Sequence, residues 1–206
     1  MKELCLPPEL SSEITAIYQS MVSAYDQVAQ KLSLTCTGCP DNCCDSYFLH
    51  HTYSEWAYLW EGLKDLNSEQ LNQTIRRARE YVSQSRILLT RGERPRLMCP
   101  LNEEGRCGLY SHRLMICRTH GVPATLTSPD GRHLRFPGCF RCQELVAENF
   151  TRPADAPAME RTALYQRLAR LEAEFLGELR GRVPKIRLTI AEMILNGPPR
   201  ITINQN

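Results

Sequence analysis

Cys36, Cys39, Cys43 and Cys44 fall within the run "CTGCPDNCC". Cys36 and Cys39 form a C-x2-C pair, and so do Cys139 and Cys142. That spacing lets two thiolates reach one ion while the intervening amides turn toward the sulfurs. Cys99, Cys107 and Cys117 stand between the two pairs and bring the candidate metal ligands to nine of the ten cysteines. The tenth, Cys5, stands apart from any cluster and reads as an ordinary thiol. Nine candidates exceed one four-ligand site, so either two sites exist or some of these cysteines are structural. The side chains of adjacent Cys43 and Cys44 project differently, so both need not bind one ion.

Three chemistries use cysteines at such density: disulfide staples, redox pairs and metal cages. A chain with ten cysteines in 206 residues and no secretory signal favours metal ligation, because a reducing compartment keeps disulfides open. Adjacent cysteines rarely bond each other, since the ring is strained. All-thiolate ligation suits zinc and iron–sulfur clusters alike. The ferredoxin run C-x2-C-x2-C-x3-C-P is absent because position 42 is Asn. The C-x3-C-x2-C triplet of radical enzymes is absent because position 46 is Ser.

Nine arginines and no lysine lie between Arg91 and Cys142, against four acids. Four thiolates around a 2+ core leave a net charge of about −2, which arginines behind the ligands would offset. The plain alternative is that they solvate a surface loop. Aromatic residues are not interleaved with them as base stacking would require. His50 and His51 follow the first cluster, but with so many thiols at hand they read as polar or capping residues. No Ser/His/Asp pattern, phosphate loop or paired-carboxylate motif stands out.

Helices must position these thiols. Apolar Ile14, Ile17, Met21, Ala24, Tyr25 and Val28 recur at spacings of three and four, predicting a helix that Pro7 and Pro8 open and that runs to about Leu34. Gly38 and Pro40 end it. A second helix runs through "HHTYSEWAYLWEGLKDL", with Ser54 as its cap and Trp56, Leu59, Trp60 and Leu63 inward. A third starts at Ser68, with Leu71, Ile75, Ala78, Tyr81, Val82 and Leu88 inward. Glycine and proline crowd the stretch from Arg91 to Cys142, predicting little regular structure apart from a short helix at "SHRLMICR" and a hairpin at "ATLTSPDGRHLRF". Helices return near Arg141–Asn149, over "PAMERTALYQRLARLEAEFLGELRG", and at "IAEMILN" capped by Thr189. The expectation is a single mainly α domain over 1–206. Residues 36–142 form the cysteine-cluster core and 1–35 and 143–206 the flanking helices. The helices surround a loop-rich, cysteine-ligated metal centre with one small β-hairpin. A middle of about 50 residues with one hairpin is poorly held by apolar packing and calls for a metal staple.

The sequence "CTGCPDNCC" followed by "CPLNEEGRCGLYSHRLMICR" resembles the zinc- or iron-chelating CxxCxxCC cysteine-cluster proteins, the YkgJ family. The matching positions are Cys36, Cys39, Cys43, Cys44, Cys99-Pro100, Cys107, Tyr110, Arg113 and Cys117-Arg118. The resemblance spans roughly Cys36 to Cys142, about half the chain. Here the first cluster is C-x2-C-x3-C-C, one residue longer than the family pattern, and Leu114 replaces the usual proline. The resemblance implies metal binding by about eight cysteines, with Tyr110, Arg113 and Arg118 just behind the ligands. Relatives in that family include flagellin lysine N-methylases, which pair an iron–sulfur cluster with S-adenosylmethionine. This shifts the balance toward an iron–sulfur cluster, [4Fe–4S] being the favoured form, with zinc as the alternative.

The expected function is a metal-binding protein with a structural or electron-transfer role. The alternatives are a cluster- and S-adenosylmethionine-dependent protein methyltransferase and a metal chaperone or store. No glycine-rich S-adenosylmethionine loop is evident, and whether the chain is an enzyme stays open. The formal net charge of +2 gives no global case for nucleic acid or membrane binding. No run approaches the roughly 18 apolar residues of a membrane span. The metal is the one partner the sequence names, and a cytoplasmic location is expected.

Overall fold

The computed structural model describes residues 2–37, 39 and 43–201. Gly38 and Pro40, read above as helix breakers, lie outside them. Among the described residues the helices are α1 (Pro8–Lys31), α2 (Tyr53–Lys64), α3 (Ser68–Thr90), α4 (Met115–Thr119), α5 (Phe140–Asn149), α6 (Thr162–Leu176) and α7 (Ile190–Leu195). The strands are short: β1 (Lys2–Glu3), β2 (Asn102–Glu103), β3 (Arg106–Cys107), β4 (Ala124–Thr127), β5 (His133–Phe136), β6 (Met159–Glu160) and β7 (Arg200–Ile201). The fold is mainly helical, as the periodicity predicts. None of the helices is long and apolar enough to cross a membrane.

The chain divides into two compact units. The first comprises residues 1–11, 44–114 and 172–206; the second comprises 12–43 and 115–171. The division falls between Cys43 and Cys44, inside the first cysteine cluster.

In the first unit, α2 turns Tyr53, Trp56, Leu59 and Leu63 into a core shared with Ala78, Tyr81 and Val82 of α3 and Ala191, Met193 and Ile194 of α7. Burying such side chains stabilises by about 1.5–3 kcal/mol each. The Trp56 indole, carried inward, donates to the carbonyls of Met193 at 3.1 Å and Gly197 at 2.9 Å. The cap of α2 is Thr52, not Ser54. Thr52 accepts from the Glu55 amide, while the Ser54 and Tyr53 amides donate to the Glu172 carboxylate. With that carboxylate satisfying its amide, Ser54 becomes a buried first-turn residue. Asn67 and Gln70 form a reciprocal capping box on α3, and Thr189 and Glu192 form one on α7.

In the second unit, α1 buries Ile14, Ile17, Tyr18 and Met21, and α6 buries Leu168 and Leu171. The hairpin expected over 124–136 is β4–β5, with Ala124 opposite Phe136 and Thr127 opposite His133. Strand β6 then joins β4 in parallel, giving the sheet order β5-β4-β6. This shortens the helix expected over 157–181. Met159 is 1% exposed and its amide donates to the Pro123 carbonyl, so the strand wins over helical propensity and α6 starts only at Thr162.

Two further expectations need correction. "SHRLMICR" is not one helix: a 3-10 turn at Tyr110–His112 and α4 are separated by Arg113, which is extended at ψ 136°. Leu114, fully buried in the first unit's core, takes the chain off the helical path. The middle also holds a second hairpin, β2–β3, with Asn102 opposite Cys107. Its turn residues Glu104 (φ 49°) and Gly105 (φ 85°) are both left-handed, as a two-residue hairpin turn of this hand requires.

Candidate metal centre

Around Tyr25, α1 and the start of α5 set the positions of one group of cysteines. The Tyr25 hydroxyl lies against Gly121, where a Cβ would overlap it. Gly121 in turn accepts the Cys139 amide at 2.9 Å. Gly138 (φ 86°) allows this approach, because a Cβ there would stand 2.5 Å from the Gly121 carbonyl oxygen. The backbone thus delivers Cys139 to the position capping α5, with Cys142 one turn further and fully buried. The N–H of Cys39 donates to the carbonyl of Cys36 at 3.1 Å.

These thiols are electrostatically distinct. The Cys43 thiol donates to the Cys139 sulfur and pulls its pKa down to about 6, against the opposing effect of burial. The amides of Cys142 and Arg141 face the sulfur and favour its anion without forming a regular cap hydrogen bond. Burial pushes the Cys142 thiol up to about 11, and negative charge on Cys139 adds to this. Tyr25 is raised first by burial and then by negative charge on Cys36, Cys139, Cys43 and Cys142, so all four thiols act on one ring. Cys117 lies on α4 in the same unit, four residues before Gly121.

A second group belongs to the first unit. The N–H of Cys99 donates to the Cys44 carbonyl at 2.9 Å. Beside it, Arg96 pairs with Asp45 at 3.0 Å and Arg94 donates to the Tyr47 carbonyl at 3.2 Å. Residues 94–99 are therefore clasped along 44–47. The N–H of Asn102 returns to the Cys99 carbonyl, and the hairpin pairing of Asn102 with Cys107 brings Cys107 back beside that turn. Cys99 and Cys107 both pack on the apolar core. Tyr81 reports this surrounding: burial, then negative charge on Cys99, push its hydroxyl up to about 12.

Tyr110 is 64% exposed and carries the Arg113 guanidinium 3.8 Å over its ring. Arg118 lies 4.7 Å over the ring of Tyr18 on α1. The arginines of the middle region thus divide their work: Arg94, Arg96 and Arg135 hold carbonyls or carboxylates, and Arg113 and Arg118 cover aromatic rings. His50 is buried, and burial lowers its pKa against the opposing charge of Glu55. Its backbone bridges to Leu188. Cys5 is exposed and donates to Glu3 at 3.4 Å. Sequence reasoning passed over Tyr25 as an ordinary stripe residue and over Gly121 and Gly138 as breakers. The positive φ that each glycine needs is not legible in residue type alone.

Among the described residues, which include all ten cysteines, no disulfide forms. Nor, among them, do three or more His, Cys, Asp or Glu side chains close around a point that would hold a metal ion. The chemistry of the donors does fit a soft metal: they are thiols, two are in contact, and one is acidified at the start of a helix. A cavity of about 330 Å³ also opens in the second unit, lined by Pro123, Arg135, Pro137, Gln143 and Val146.

No protein-family model matches the chain, and neither a curated protein nor a solved structure matches it.

Proposed function

We propose that this chain is a cytoplasmic metal-binding protein of the cysteine-cluster type resembled by its sequence, holding an iron–sulfur cluster or zinc through thiolates in a structural or electron-transfer role. The observation that supports the reading is the contact of Cys43 with Cys139, from segments about 100 residues apart, beside a Tyr25 whose hydroxyl, raised first by burial, is also raised by negative charge on Cys36 and Cys142. Cys39, Cys44, Cys99, Cys107 and Cys117 are the remaining proposed ligands. The metal would supply either electron storage or a cross-link between distant segments. The chain supplies a pre-acidified thiol, Cys139, which gives up its proton to a metal more readily than an ordinary cysteine.

The test is an anaerobic preparation assayed for iron, sulfide and zinc together with its visible spectrum. Iron with acid-labile sulfide and visible charge-transfer absorption identifies a cluster. A colourless protein with bound zinc identifies the alternative. A preparation that holds neither, and takes up neither on reconstitution, overturns the reading.

One observation favours a second reading. Cys139 caps α5 with lowered pKa while Cys142 is buried with raised pKa, an asymmetry that suits a dithiol pair. In that reading the Cys139 thiolate attacks a partner disulfide. Cys142 then loses its proton, displaces the partner and closes the Cys139–Cys142 bond, so the partner leaves as two thiols and two electrons pass to it. A metal-free protein that reduces a small disulfide stoichiometrically, and loses this with Cys139→Ser, supports it.

A further inference from the structure

We propose that the cavity of about 330 Å³ in the second unit binds a small monocarboxylic acid, with the apolar body of the acid against the walls and its carboxylate on Arg135. This site goes beyond the metal-binding reading and does not depend on it.

The walls come from three segments of one unit. Pro123 and Pro137 flank the β4–β5 hairpin, Gln143, Val146 and Ala147 come from α5, and Pro153 opens the 3-10 turn at Pro153–Asp155. Positions 143, 146 and 147 share one face of α5, because residues three and four apart are neighbours on a helix. The close approach at Gly138 sets the start of α5 against the hairpin: a Cβ there would stand 3.1 Å from the Pro123 nitrogen. The exposed lining is largely apolar. A concave, mostly apolar space with few polar groups is the form that small-molecule sites take. At about 30 Å³ for each water-sized group, it suits a ligand of about ten such groups and is too small for a nucleotide or a folded partner.

The charge in the lining says which small molecule fits. Among the described residues that line the cavity, Arg135 alone is charged. It is held in place before any ligand arrives. The β4–β5 register sets it opposite Thr125, and its Nη2 donates to the Pro153 carbonyl at 3.0 Å and the Ala156 carbonyl at 2.7 Å. Both Nη2 hydrogens are thereby used, while Nε and Nη1 find no acceptor among the described residues. Acids near in sequence are committed elsewhere. Asp155 accepts from Nε and Nη2 of Arg152 at 2.9 and 2.8 Å, and Asp130 pairs with Arg132 at 2.7 Å. The Gln143 amide nitrogen is spent on the Gly138 carbonyl at 3.1 Å. A fixed guanidinium with donors to spare, beside apolar walls, selects an anion with an apolar body and needs little ordering to bind it. One guanidinium with one terminal nitrogen open matches a single carboxylate. A phosphate, with three oxygens and more charge, calls for several donors.

Calorimetric titration of the full chain tests this, with hexanoate, benzoate, hexanol and hexylammonium as probes. Saturable one-to-one binding of hexanoate or benzoate is expected. Hexanol should bind about ten-fold more weakly, the worth of one charge-assisted hydrogen bond, and hexylammonium should not bind. Ala147→Phe adds a ring at an exposed position of the cavity wall, and should abolish acid binding while circular dichroism and melting temperature stay native. Arg135→Met should weaken acid binding about ten-fold and leave hexanol binding as it was. Arg135 also straps the turn at 153–156, so a variant that merely collapsed the cavity would lose acid and alcohol together; that result overturns the role given to the guanidinium. No saturable binding of either acid, equal affinity for acid, alcohol and ammonium, or acid binding undisturbed by Ala147→Phe also overturns the proposal. Each of these results leaves the metal-binding reading where it stood, since metal content is measured separately.

Discussion

Cys139 and Cys142 stand at the head of a ten-residue helix, whereas Cys99 and Cys107 stand on turns and a hairpin of two residues per strand. The helical set is placed by steric means. Gly121 and Gly138 bring two backbones and the Tyr25 ring together more closely than a Cβ would allow. The hairpin set is placed by polar means: the Cys99 amide on Cys44, Arg96 on Asp45, and Arg94 on the Tyr47 carbonyl. The difference teaches that thiols can be gathered by one unforgiving close contact or by several weak ones. The two arrangements should fail in different ways.

The largest expected effect is at the steric contact. Gly138→Val places a branched side chain at φ 86° and against backbone atoms, which cannot swing aside. Left-handed strain and overpacking together should cost on the order of 4 kcal/mol. Urea denaturation of the metal-free chain measures this, and a variant as stable as the native protein would break the steric account. Gly121→Ala should cost less, about 2 kcal/mol, because the end of the Tyr25 side chain can give way.

The helices were legible in the sequence because their signals are local. The apolar stripe of α1, the Thr189 cap of α7 and the turn of the β4–β5 hairpin each announce themselves within a few residues. What stayed hidden depended on distant partners. Ser54 looks like a cap until Glu172 takes its amide, and "PAMERT" looks helical until Met159 pairs beside β4. The β2–β3 turn uses Glu104-Gly105, where the usual signal is Asn-Gly or Asp-Gly, so its hairpin was unreadable. Candidate ligands could be named from type and spacing. Their division between two units could not, because nothing in "NCCD" marks the peptide at which the chain changes unit.

A middle-sized effect separates the two sets by reactivity. In the reduced, metal-free chain, Cys139 has its pKa lowered to about 6 by the Cys43 thiol and the α5 amides. Its thiolate is therefore already abundant at neutral pH, and alkylation should rise through about pH 6 and then level off. Burial and the Glu3 carboxylate raise the pKa of Cys5, so its alkylation should still be climbing where that of Cys139 is flat. The linkage has a definite sign. A depressed folded pKa adds stability above the unfolded cysteine range, and this is lost as pH falls from about 8.5 through 6. Cys139→Ser should flatten that part of the stability profile. Mass-spectrometric rates at stepped pH decide the matter: a Cys139 midpoint in the ordinary thiol range would remove the contrast between the helical set and a plain cysteine.

The smallest effect tests the polar clasp. Arg96 is 71% exposed and its bond to Asp45 is a surface ion pair, worth no more than about 1 kcal/mol and weakened by salt. Arg96→Ala should therefore leave global stability almost unchanged. Its consequence should be local, because Arg94, Arg96 and the Cys99 amide hold one strip of chain against another, and loss of one clasp raises the population in which the strip opens. Cys99 alkylation in the metal-free chain should quicken a few-fold while that of Cys139 stays as it was, and adding Arg94→Ala should quicken it further. High salt on the native protein should mimic part of the change, since screening acts on the same ion pair. If Cys139 accelerates in step with Cys99, the two sets are not positioned independently, and the distinction between steric and polar placement fails at its weakest link.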